Sequence, residues 1–158
     1  MRNAARAYRE SAVRGASPVG LVVILYEEVQ QAIRKAVRGI EQSNIEQRTT
    51  ELSHAIRVVG HLQAVLDYNA GGDVARNLSR FYNVARAKIL EASFHADRGT
   101  LESLAGDFAN LGEAWKQVEQ EASGGNGESK RTVDATTEAA RAMEAANEHI
   151  TGRVRVEG

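Results

Sequence analysis

Apolar residues along this chain recur at steps of three and four, and breaks in that rhythm divide it into four long amphipathic segments. Ser17 followed by Pro18 predicts an N-cap with proline at the first helical position, and a first helix running to about Gln42. Asn44 with Gln47 three residues on has the form of a capping box and opens a second helix reaching roughly Tyr68. Asn69 to Gly72 then reads as a turn, and Asp73 as the cap of a third helix that ends near His95. Thr100 is the expected cap of a fourth, ending near Ala122.

The fourth segment carries one stripe, Leu101, Leu104, Phe108, Leu111, Trp115 and Val118, which predicts a single core-facing side. The second carries two. Ile45, Leu52, Ile56, Val59 and Leu66 form one line, with Ala55, Val58, Leu62 and Val65 beside it. The first is similar, with Leu21, Leu25, Ala32 and Ala36 adjoining Val22, Val29, Ile33 and Val37. A bundle helix needs about a third of its circumference apolar, so these two helices have apolar surface to spare. Either the chain's own N-terminal segment or tail covers it, or a partner helix does.

The expected architecture is all-α: an antiparallel four-helix bundle with a short N-terminal segment and a C-terminal tail helix. One proline in 158 residues agrees with that class. After Ala122 the sequence SGGNGESKR has linker composition, so residues 1–122 are expected to form the bundle and 123–158 a glycine-rich linker and tail. The tail segment Val133 to Ile150 has a weak stripe through Thr136, Ala140, Met143 and Asn147.

Charge and chemistry narrow the function by elimination. Twenty Lys and Arg against twenty-one Asp and Glu leave no positive excess for a nucleic acid, so no such partner is expected. There is no cysteine for a disulfide or a thiolate site. The longest apolar run, Val19 to Tyr26, falls far short of a membrane span, and the N-terminus has no apolar signal region, which together predict a cytoplasmic protein. A bundle invites a di-iron reading, but Glu51 and His54 are the only Glu-x-x-His pair, which is half a site. No nucleophile elbow, phosphate loop or dinucleotide fingerprint occurs, so no enzyme activity, cofactor or metal is expected.

The segment AYRESAVRGASPVGLVVILYEE, Ala7 to Glu28, resembles the opening of the FliS-type flagellar export chaperones, where a tyrosine segment leads into Ser-Pro and then Leu-Tyr. Gly72, Val74, Asn77, Leu78, Tyr82 and Leu90 are similar to that family's third-helix pattern, and Glu91-Ala92 to its closing Glu-Ala-Asn. Leu111, Ala114 and Trp115 resemble its Leu-Arg-x-x-Trp ending. The likeness spans roughly residues 4 to 121; Glu28 stands where the family usually has a small residue, and Gly112 where it has arginine. The resemblance implies a bundle that binds the C-terminal region of flagellin, prevents early polymerisation and delivers it to the flagellar type III export gate.

On that reading the partner groove is expected at Leu62 and Val65 of the second helix and Leu78, Phe81, Tyr82 and Ala85 of the third, with Tyr8, Leu21 and Leu25 near the N-terminal end. Tyr82→Ala is then expected to weaken binding more than stability, and Trp115→Ala to do the reverse, at about 3 to 5 kcal/mol. The alternatives are a structural bundle that self-associates through the same faces, or a co-chaperone of another secretion subunit.

Overall fold

The computed structural model describes residues 18–124, which form four helices: α1 Pro18–Glu41, α2 Ile45–Ala64, α3 Tyr68–His95 and α4 Arg98–Gly124. Turns of two or three residues join them, so consecutive helices run antiparallel. Cross-helix pairs show the registers. Glu28 of α1 meets His54 of α2, Gln63 of α2 meets Ser79 and Asn83 of α3, and Arg98 of α4 meets Glu41 of α1. α1 packs most closely on α2 and α4, α3 leans on α2, and the α3–α4 seam is the thinnest. The result is an all-α helical bundle. Tyr8 and the tail helix expected over Val133 to Ile150 lie outside the described residues.

The core follows the predicted stripes except at the start of α2, where Ile45, expected on the core line, is exposed. Val29, Ile33, Ala36, Leu52, Val59, Leu101, Leu104, Phe108 and Leu111 are all buried, while Trp115 is half-buried against them.

The helix ends obey local chemistry. α1 closes with Ser43 in the left-handed region at φ 54°, the Asn44 N–H donating to the Gly39 carbonyl (2.7 Å) and the Ser43 N–H to Ile40 (3.1 Å). This is a Schellman stop. The Asn44 side chain then accepts from the Gln47 N–H at 3.0 Å and starts α2, while the Gln47 amide donates back to the Lys35 carbonyl of α1.

Two boundaries differ from expectation. α2 ends at Ala64 rather than Tyr68, because the Asp67 carboxylate accepts from the Asn69 and Ala70 N–H groups and starts α3 six residues before Asp73. The expected turn at Asn69 to Gly72 shrinks to one residue, Gly72, which breaks the helix at φ 52° and ψ −125°, a conformation open to glycine. Asp73 instead pairs with Arg76. In α4 the cap is Asp97, whose carboxylate accepts from the Thr100 N–H (3.1 Å) and hydroxyl (2.7 Å); these bonds hold the Asp97 carboxyl below its ordinary range. α4 runs two residues past Ala122.

Gly39 is required by a close approach. A Cβ there would stand 3.0 Å from the Arg48 nitrogen and 3.1 Å from the Asn44 carbonyl oxygen, both backbone atoms of the α1–α2 turn. Gly106, exposed in mid-α4, would meet nothing within 4 Å. Urea denaturation is therefore expected to show Gly39→Ala destabilised by about 1–3 kcal/mol. Gly106→Ala should gain about 0.5–1 kcal/mol from helix propensity. Equal and small effects at both positions would show that the α1–α2 turn is not tightly packed.

Candidate partner-binding surface

At the centre of the bundle four aromatic rings from three helices meet. Tyr26 of α1 stands edge-on to Tyr82 of α3 (6.3 Å between centroids, 78°) and to Phe108 of α4 (5.4 Å, 77°); Phe81 tilts against both Tyr82 (5.8 Å) and Phe108 (5.1 Å). Such edge and tilted pairs align ring edges with ring faces. The two phenol oxygens are 2.7 Å apart, and the Trp115 side chain also bonds to Tyr26. This polar contact is sealed from water. Burial pushes the Tyr26 phenol up to about 12, with the bonds from Tyr82 and Trp115 pulling the other way. Burial, followed by the proximity and bond of Tyr26, pushes Tyr82 well above its usual range.

The residues expected to form a groove divide into three sets. Leu62, Leu78, Phe81, Tyr82 and Ala85 are interior, Tyr82 being only 1% exposed. Their burial follows from phase: the broad apolar faces of α2 and α3 turn fully inward, so residues beside the central line of α3 share the core with it. Leu21 and Leu25 are half-buried on α1, and Val65, at the C-cap of α2, is 47% exposed. The Glu28–His54 pair fixes the α1–α2 register, and stepping back along the antiparallel pair brings Leu25 to the level of Arg57 and Leu21 to that of His61 and Leu62, one turn short of Val65. Three of the expected residues thus rim one end of the α1–α2 flank, with Leu62 beneath them.

Glu28 is half-buried and sits 2.9 Å from the His54 Nε2. His54 therefore turns to α1 and not to Glu51, its partner in the half-site. Among the described residues no group of three or more His, Asp or Glu is placed to hold a metal ion, and no helix is long and apolar enough to cross a membrane.

Sequence spacing missed a second apolar surface. Ile45 (63%), Leu90 (53%) and Phe94 (74%) are exposed. Leu90 and Phe94 stand one turn apart off the α3 core line, a signal visible in the sequence once that line is drawn through Leu78, Ala85, Ile89 and Ala92.

The description "Flagellar protein FliS" belongs to the family whose sequence pattern matches residues 1–122. The chain is 36% identical over 115 residues to the flagellar secretion chaperone FliS of Salmonella typhimurium, covering 72% of this chain and 85% of that one. It is 26% identical over 120 residues to the Bacillus subtilis protein of the same name (76% and 89% covered). The Escherichia coli protein is 28% identical over 109 residues (68% and 80%). A four-helix bundle with that pattern across its whole length, and a relative this similar over most of both chains, make the protein a member of the FliS family of flagellar secretion chaperones.

Proposed function

We propose that this chaperone works in the cytoplasm by binding the C-terminal region of flagellin, keeping it from polymerising and presenting it to the flagellar type III export gate. The observation that carries this reading is the apolar rim of half-buried Leu21 and Leu25 and exposed Val65 on a bundle whose core is already filled without them. A flagellin end that is disordered when free would lay an amphipathic helix on that rim and order as it binds. Leu62, Leu78, Phe81, Tyr82 and Ala85 would form the floor beneath the contact, and Tyr8 would join it from the N-terminal side. The chemistry is recognition alone, by a chaperone and not an enzyme, with no cofactor or nucleotide.

Calorimetry with the cognate flagellin C-terminal segment is expected to give one-to-one binding with a negative heat-capacity change, as apolar surface leaves water. The double variant Leu21→Asp, Leu25→Asp is expected to bind at least about tenfold more weakly, roughly 1.4 kcal/mol. Absence of any complex at tens of micromolar protein would overturn the proposal. Unchanged affinity in the double variant would move the contact elsewhere.

Residues 1–122 are, on this reading, the working unit. Deleting 125–158 should leave the melting temperature nearly unchanged, since the buried stripes of all four helices lie before that point. A truncated protein that unfolds would put the tail in the core.

A further inference from the structure

Exposed residues of α3 recur at steps of three and four through Arg80, Asn83, Ala87, Leu90 and Phe94. That is the spacing of a helix–helix seam, and here it points away from the core line of Leu78, Ala85, Ile89 and Ala92. The two halves of the seam differ. The N-terminal half is basic and polar, with Arg80 and Asn83. The C-terminal half is apolar and acidic, with Leu90 (53%) and Phe94 (74%) exposed and Glu91 beside them. Ala87, the smallest side chain on the line, lies midway, about two turns from both Arg80 and Phe94.

The order of the charges decides what this face accepts. A uniformly acidic partner meets Glu91 and a uniformly basic one meets Arg80, like against like in either case. A parallel copy of α3 sets Arg80 on Arg80 and Glu91 on Glu91. An antiparallel copy related by a two-fold axis brings the unlike halves together. With the crossing at Ala87, Phe94 falls level with Arg80 of the second copy, along its aliphatic stem and beneath its guanidinium. Leu90 enters the hollow between Asn83, Val84 and Ala87 of the second copy. Glu91 comes within about one turn of the second copy's Arg80, on the same side of the seam. Symmetry makes each contact twice. Among the described residues neither Arg80 nor Glu91 has an ion-pair partner in its own chain. The remaining charges lie beside the crossing or beyond its ends. Arg86 turns back to Asn83 and over Gly60 of α2, and Lys88, two residues on, is half-buried on the opposite side of α3. Asp73 and Arg76 pair with each other before the seam begins, and Glu46 stands at the start of α2.

We propose that two copies of this chain associate through the outward face of α3, antiparallel about a two-fold axis at Ala87. The small alanine lets the helices approach closely at the crossing, while Leu90, Phe94 and the Arg80–Glu91 pairs close the contact on either side. The contact runs over about 21 Å of one helix, from Arg80 to Phe94. That places it at the small end of specific interfaces, so the dimer is weak and concentration-dependent. It uses α3 alone and leaves the rim of Leu21, Leu25 and Val65 open, and so stands apart from the flagellin reading.

Sedimentation equilibrium of the full-length chain, from micromolar to millimolar protein, should show a monomer–dimer equilibrium. Leu90→Asp together with Phe94→Asp should abolish it and leave the melting temperature in place, since both positions are exposed. Arg80→Glu and Glu91→Arg should each weaken the dimer about tenfold, and combined in one chain they should pair at least about threefold more tightly than either alone. The chain has no cysteine, so Ala87→Cys gives it a single thiol. On the two-fold axis that thiol meets its own copy, and under mild oxidation it should link two chains at least about tenfold faster than Gly106→Cys, exposed on α4. A parent that stays monomeric overturns the proposal. So does a dimer that survives the Leu90 and Phe94 changes, or a combined charge exchange no tighter than the single ones. An Ala87→Cys chain that links no faster than its Gly106→Cys control overturns it as well.

Discussion

Replacing Tyr82 by alanine is expected to cost about 3–5 kcal/mol of stability, the range for deleting a buried aromatic side chain. Tyr82 is 1% exposed, and its ring touches Tyr26 and Phe81, so truncation opens a cavity where α1 and α3 meet. It also removes the phenol bonded to Tyr26, leaving that hydroxyl in a sealed site with one partner fewer. Trp115→Ala should cost less, about 1–3 kcal/mol, because the indole is half-buried at the edge of the core and water can replace part of what it loses. The order expected from the stripes alone is thereby inverted. Urea titrations of the two variants decide it: a larger loss for Trp115→Ala would return Tyr82 to the role of a groove residue.

The inversion shows where spacing loses its power. A stripe at three-and-four spacing locates the centre of a buried face, and in α4 that was enough, since Leu101, Leu104, Phe108 and Leu111 are all interior. It does not give the width of the face. Two adjacent apolar lines on α2 look the same whether the second meets a partner or the chain's own α1 and α3. Here Ala55, Val58 and Leu62 go inward with Leu52 and Val59, and the exposed members of the two lines stand at the ends of the helix, Ile45 at its first residue and Val65 past its last.

The Asn44 cap was legible because Gln47 follows three residues on and completes the capping pattern. Caps were misread where two candidates competed: Asp67 and Asp73 have equal chemistry, and the choice rests on Gly72 accepting a kink inside a helix. Thr100 loses its expected role to Asp97, whose carboxylate reaches both the Thr100 N–H and its hydroxyl. The Glu28–His54 pair lay beyond reach, because a contact across 26 residues depends on the register between helices, which neither helix encodes alone.

The buried tyrosine pair makes a second large effect, at high pH. In the unfolded chain both phenols ionise near 10, whereas in the bundle burial pushes Tyr26 up to about 12 and Tyr82 well above its usual range. Above pH 10 the folded state therefore holds protons that the unfolded state has released, and stability falls as pH rises. The contribution is fully present below pH 10 and is lost on the way through pH 12. Each resisting group gives a slope of about 1.4 kcal/mol per pH unit, so Tyr26 alone removes roughly 3 kcal/mol across the window. Tyr82 steepens the slope, because ionising either phenol sets a charge against the other. The double variant Tyr26→Phe, Tyr82→Phe removes both hydroxyls and keeps both rings, so at pH 8 it should lie within about 1 kcal/mol of the parent. Above pH 10 it should become the more stable protein, with other alkaline effects common to both. Urea titrations at pH 8, 10, 11 and 12 followed by circular dichroism measure the difference directly. Parallel curves for parent and variant would mean that the phenols ionise without resistance, and that the Tyr26–Tyr82 contact is open to water.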